Sequence, residues 1–148
     1  MSDKLERLRA LAEELTSYEA DRKKSLKRLR ELFDRLELGQ KCGEFSSIFD
    51  FKAINLSGIN LTMEGLGEIT EGKYAQIIGI KYVDQEGKRR AKNINLRYFG
   101  RVEQLEKETK DLIVEFVLRW RLEKSFRGVD HYRDLVKKCT AAKKGDSA

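Results

Sequence analysis

Apolar residues at the N-terminal end recur every three and four positions. A seven-residue frame over residues 2–38 places Leu5, Leu8, Ala12, Leu15, Glu19, Arg22, Leu26, Leu29, Phe33 and Leu36 on one seam. The spacing predicts one long helix, with Ser2 or Asp3 as N-cap and Gly39 closing its C-terminus. Glu19 and Arg22 interrupt the seam with charge, and the remaining faces carry mixed charges of a solvated kind. Such a seam must be covered, by a second chain or by the chain's own globular part. The leading expectation is an intermolecular coiled coil, self or heteromeric, made by Leu5, Leu8, Leu15, Leu26, Leu29, Phe33 and Leu36.

From residue 46 to 98 the period changes to two. "SIFDFKAINL" and "INLTMEGL", joined at Ser57-Gly58, read as one hairpin. "KYAQIIGIKYV" and "RRAKNINLRYF" read as a second. Tyr74, Ile78, Ile80 and Tyr82 fall on one face of the first of these strands, and Ile94, Leu96 and Tyr98 on one face of the other. For the two faces to coincide, Ile78 must oppose Ile94, which predicts a five-residue loop "DQEGK" with Gly87 in the left-handed position.

The helical period returns at about Arg101. Val102, Leu105, Leu112, Ile113, Phe116, Val117 and Trp120 form one stripe, and Val114, Leu118 and Leu122 a second. Two stripes need two covers. The sheet supplies one, and a last helix, 129–141, supplies the other through Val129, Tyr132, Leu135, Val136 and Cys139, after a turn at Gly128. The expected fold is therefore α+β: a long N-terminal coiled-coil helix, a four-stranded antiparallel sheet of two hairpins, and two C-terminal helices packed on it. The expected divisions are a stalk at 1–38, a globular module at 39–141 and a frayed basic tail at 142–148.

Composition sharpens this picture in two places. The chain has no proline, which suits long helices, and 38% of its 148 residues are charged, against about 25% in ordinary domains. The net charge of +6 is unevenly placed: residues 73–101 hold eight basic and two acidic residues, while the rest of the chain nearly balances. Lys81, Lys88, Arg89, Arg90, Lys92 and Arg97 are the candidate contacts for nucleic acid or an acidic protein segment, on the hairpin 81–101. The three tyrosines of this hairpin are expected on the core side, away from the charges, which argues against base stacking. The bland alternative is a solvated hairpin end whose charges protect an edge strand.

Catalytic chemistry finds no support. "EGLGEITEGK" lacks the Lys-Ser/Thr ending of a phosphate loop, no nucleophile–base pair has telling spacing, and Glu64, Glu68 and Glu71 read as loop acids. Cys42 and Cys139 are far apart and His131 stands alone on a polar stretch, so neither a metal site nor a cofactor is expected. A non-enzymatic protein without a small-molecule substrate is the expectation. No signal-peptide pattern or membrane-length apolar run is read, which gives an intracellular, non-membrane expectation.

"GKRRAKNINLRYF" followed by "LEKETKDLIVEFVLRWRLEKSF" resembles the last strand and closing helix of the RWD-type globular subunits of eukaryotic kinetochores. The positions that carry the resemblance are Leu105, Thr109, Asp111, Leu112, Phe116 and Phe126, within the element order of a coiled coil leading into an α+β head. Gly100 stands where that family has proline, and Arg121 precedes Phe126 by five residues rather than at the family's spacing. The resemblance implies a scaffold subunit in chromosome segregation, nuclear or chromosomal, whose stalk pairs with a different coiled-coil subunit and whose head docks an adaptor peptide. The two hairpins between helices are also similar to prefoldin subunits, which implies a chaperone-like assembly role. The basic hairpin independently carries the alternative of a nucleic-acid-binding module.

Overall fold

The structure, a computed structural model, describes residues 2–146, with the side chains of Ser2, Leu15, Thr16 and 143–146 outside the description. The elements run α1 (Ser2–Arg35), α2 (Gly39–Cys42), a 3-10 turn (Phe45–Asp50), β1 (Ala53–Ser57), β2 (Tyr74–Gln85), β3 (Lys88–Arg101), a second 3-10 turn (Val102–Gln104) and α3 (Lys107–Asp146). The three strands form one antiparallel sheet in the order β1-β2-β3. Both long helices lie on one side of it.

The expected fold class needs three corrections. The sheet has three strands and not four. The first hairpin does not form, because β1 pairs directly with β2, Ala53 opposite Ile80 and Ser57 opposite Gln76. The segment that was to pair with β1 becomes an irregular loop that closes on itself through the Ile59–Ile69 bridge and backbone hydrogen bonds such as Asn60 N–H to the Glu68 carbonyl and Gly67 N–H to the Asn60 carbonyl. Gly58, Gly67 and Gly72 all take positive φ there, and Met63 stands almost wholly in solvent, so although Ile59 reaches the core the loop lacks the extended backbone of a strand.

The second correction concerns the C-terminal end. Instead of two helices, one 40-residue helix runs from Lys107 to Asp146, so the longest helix is C-terminal rather than N-terminal. Gly128 does not break it. A glycine in a helix interior costs only about 1 kcal/mol, and the helix on both sides outweighs that. Val129, Tyr132, Leu135 and Val136 therefore do not fold back to cover the second stripe, and all remain exposed. The expected tail from 142 is helical as far as 146, and 147–148 lie outside the described residues.

The third correction is the register of the basic hairpin. A two-residue turn, Glu86 (φ 52°) and Gly87 (φ 76°), joins β2 to β3, and Gln85 pairs with Lys88. Two successive positive φ values give the mirror-image turn whose twist matches that of paired strands. Ile78 then faces Asn95 and not Ile94. Register shifts fall between Ala75 and Gln76 and between Ile77 and Ile78, leaving Phe99 and Leu96 as extra residues on β3. The parity conflict is thus absorbed by bulges within the strand, not by loop length.

With that register the buried face of β2 is Ala75, Ile77 and Gly79. Gly79 on this face lets an aromatic ring approach the strand. A Cβ on Gly79 would sit 2.6 Å from the Phe51 ring. The core joins Ile54, Ile77 and Leu96 of the sheet to Ile113, Phe116, Val117 and Trp120 of α3 and to Leu29, Leu32, Phe33 and Leu36 of α1. Trp120 Nε1 donates to the Ile48 carbonyl at 2.8 Å and Lys124 Nζ to that of Phe49 at 2.6 Å, which ties α3 to the first 3-10 turn.

Residues Leu29, Phe33 and Leu36 of the expected intermolecular seam are thus inside the chain's own core, with Leu26 half-buried against it. The C-terminal half of the expected stalk belongs to the globular part. Leu5 and Leu8 stay exposed, and the Leu15 side chain lies outside the description.

α1 and α3 run antiparallel, and a ladder of charge joins them. Arg22 makes a two-pronged contact to Glu123, Nε and Nη2 each donating at 3.0 Å, and Nη1 reaches Asp130 at 3.0 Å. Arg28 grips Glu115 the same way, and Arg119 reaches both Glu115 (2.7 Å) and the hydroxyl of buried Ser25 (3.0 Å). Arg22, an apparent break in the seam, is the partner of a buried carboxylate: Glu123 is 3% exposed and also accepts from Arg127 at 3.1 Å.

Candidate nucleic-acid interface

The sheet has one face on the helices and one open face. Pairing places Tyr74, Gln76, Ile78, Ile80 and Tyr82 of β2 on the open face, opposite Arg101, Tyr98, Asn95, Asn93 and Ala91 of β3. Ala53, Asn55 and Ser57 of β1 flank them. The tyrosines expected in the core therefore stand outside it: Tyr74 is 48% exposed, Tyr82 40% and Tyr98 52%. The register is the cause: the odd positions Ala75, Ile77 and Gly79 of β2 meet the helices, so Tyr74 and Tyr82 face out, and the bulge at Leu96 brings Tyr98 opposite Gln76 on the same face.

The open face is graded along its length. At its base Tyr74 and Tyr98 lean together, ring centroids 5.7 Å apart. Midway, Asn95 Nδ2 donates to Gln76 Oε1 at 3.1 Å, beside half-buried Ile78 and Ile80. Toward the tip, Tyr82 is bracketed by cations. The Arg89 guanidinium lies 4.6 Å from its ring centre and the Lys52 ammonium 4.2 Å, and Lys52 also donates to the phenol oxygen. That hydrogen bond, with the fields of Lys52 and Arg89, holds the Tyr82 phenol below the usual tyrosine range. From Tyr74 to Tyr82 the face spans about 26 Å of strand.

Of the six predicted cations, five gather at the outer half of the hairpin. Lys88, Arg89, Arg90 and Lys92 are exposed. Lys81 lies directly across from Lys92 on the helix-side face, its ammonium 4.7 Å from the centre of the Phe51 ring. Like charges directly opposite on a sheet repel, and none of these five forms an ion pair among the described residues. Arg97 is not part of the group. It donates to the Leu36 carbonyl, lies 3.7 Å from Glu37 and covers the Phe99 ring, so it closes the C-terminus of α1.

Sequence reasoning missed Lys52, which lies in the turn before β1 and reaches the hairpin only through β1–β2 pairing. It also misplaced the tyrosines; Glu86-Gly87 as a two-residue turn was the signal that could have placed them. Among the described residues no group of three or more His, Cys, Asp or Glu is arranged to hold a metal ion, and no helix is long and apolar enough to cross a membrane. No protein-family model, curated protein or solved structure matches the chain.

Proposed function

We propose that this protein binds single-stranded nucleic acid across the open face of its sheet. Tyr74, Tyr98 and Tyr82 offer stacking surfaces for bases, Gln76, Asn93 and Asn95 offer edge hydrogen bonds, and Lys52 and Arg89 beside Tyr82 contact phosphates, while Lys88, Arg90 and Lys92 on the other face of the tip add to the positive field. The observation that carries this reading is the coincidence on one open surface of three exposed aromatic rings with cations that no carboxylate neutralises. Stacking beside a cationic track is how unpaired strands are held without sequence preference. A duplex offers no free base faces to the tyrosines, so single strands are favoured. The face is long enough for about four nucleotides, the low end of the range for one such platform.

The test is fluorescence anisotropy of labelled oligo(dT) and oligo(U) against a duplex of the same length. Single strands bind more tightly, and Tyr98→Ala or Tyr82→Ala weakens them by about 1–3 kcal/mol each. Equal affinity for duplex, or indifference to both substitutions, overturns the reading.

A further inference from the structure

We infer that the protein pairs with a second copy of itself through the arm made by the N-terminal half of α1 and the C-terminal part of α3. Tyr18 packs edge-on against Phe126, centroids 4.9 Å apart, and marks where the helix pair leaves the core. Beyond it, every described side chain of residues 3–20 and 129–142 is exposed. That is about 27 Å of α1 and about 21 Å of α3 with no core of their own. Yet both helices present large apolar groups: Leu5, Leu8 and Leu11 on α1, and Val129, Tyr132 and Val136 along one face of α3, each 50–68% exposed. Large apolar groups this exposed along two neighbouring helices mark an interaction surface rather than an ordinary monomer exterior.

Charge selects the occupant. Residues 3–20 hold five acidic and three basic residues, and residues 128–146 hold three acidic and five basic. The α1 half of the arm is thus net negative and the α3 half net positive. A second copy turned about a two-fold axis lays its α3 against the first copy's α1 and its α1 against the first copy's α3, making the same complementary contact twice. The two arm helices are similar in length, so the apolar stripes close into an antiparallel four-helix bundle. A single foreign helix satisfies only one of the two opposite charges. The arm lies at the far end of α1 from the Arg97–Leu36 contact that adjoins the sheet, so pairing is independent of the nucleic-acid reading.

Sedimentation equilibrium of the full chain tests this, with an expected mass of twice 17.2 kDa. Val129→Lys with Val136→Lys brings the mass to that of one chain, with the helical circular dichroism and the thermal transition of the globular part retained. A second pair of variants tests the orientation even if that one misfolds. One chain carries Glu6, Glu13 and Glu14→Lys, and the other Arg133, Lys137 and Lys138→Glu. Each alone is monomeric because α1 and α3 then share one sign, and their mixture regains the doubled mass. A single-chain mass for the unaltered protein at every concentration overturns the inference. So does a doubled mass that the Val129/Val136 variant retains, or charge variants that associate as well alone as mixed.

Discussion

The arginines between the two long helices and the cations at the hairpin tip differ in what faces them. Along the helix pair, Arg22, Arg28, Arg119 and Arg127 each meet a carboxylate between 2.7 and 3.1 Å. At the tip, Lys88, Arg90 and Lys92 meet none among the described residues, and Lys81 looks across at Lys92. Periodicity makes the difference. Glu115, Glu123 and Asp130 recur at intervals of eight and seven on α3, so they line one stripe toward α1. A strand alternates, so the run of cations in β3 divides between two faces, and the hairpin itself carries only two acids, Asp84 and Glu86. Charges that answer each other hold the protein together, whereas charges without answer project their field outward to a ligand.

That contrast breaks first at the tip. Reversing Arg89, Arg90 and Lys92 to Glu lowers the affinity for oligo(dT) at low salt by on the order of 100-fold. It also makes the dependence of log K on log salt shallower by about one, for the phosphate contact at Arg89, with Arg90 and Lys92 acting through their field from the other face of the strand. The folded state changes by less than about 0.5 kcal/mol, because these side chains touch no core group. Anisotropy titrations over a salt series, beside urea unfolding, read both quantities. A tip variant that unfolds more easily yet binds as before would make these cations structural.

The opposite outcome belongs to the helix pair. Glu123→Ala leaves Arg22 and Arg127 without their shared carboxylate. Breaking a fully buried pair costs about 3–5 kcal/mol, but Arg22 and Arg127 keep 28% and 47% of their side chains in solvent, so about 2 kcal/mol is the expectation. Urea midpoints fall accordingly, while affinity for oligo(dT), measured where the variant is folded, stays within about twofold. A loss below about 0.5 kcal/mol would place these pairs with ordinary surface salt bridges.

The same contrast marks what could be read from the chain. The heptad frame located apolar positions on α1 but could not say that Leu29, Phe33 and Leu36 are covered from within, because cover depends on where α3 lies. It read Arg22 as a flaw, since Glu123 is 101 residues away and no local pattern joins them. On the sheet, the excess of positive charge at 73–101 was legible by counting. The face that carries it was not, because a one-residue difference in register exchanges every side chain between core and solvent. A loop of odd length and a bulge within the strand are alternative solutions of the parity problem, and it is the bulge at Leu96 that brings Tyr98 onto the open face with Tyr74 and Tyr82. Gly128 misled in a similar way. It is a turn signal in isolation, but here the helix runs straight through it and a Cβ at that position would meet nothing within 4 Å.

The smallest effect tests the helix pair through pH. Arg28 donates to Glu115 and holds its carboxyl below the ordinary carboxylate range, with Arg119 adding to the effect against partial burial. A carboxyl whose folded pKa is depressed releases its proton more readily in the folded state, so the unfolded chain binds more protons in that window. The stabilisation is fully present above the unfolded value near pH 4.3 and is lost as pH falls through the lower folded one. Glu115→Gln removes the titration while keeping the shape. Urea midpoints of the unaltered protein therefore fall more steeply below about pH 4.5 than those of the variant, and the two run parallel near neutrality, the variant lower throughout. Curves that run parallel down to the most acidic point would mean that Arg28 holds Glu115 no differently from water.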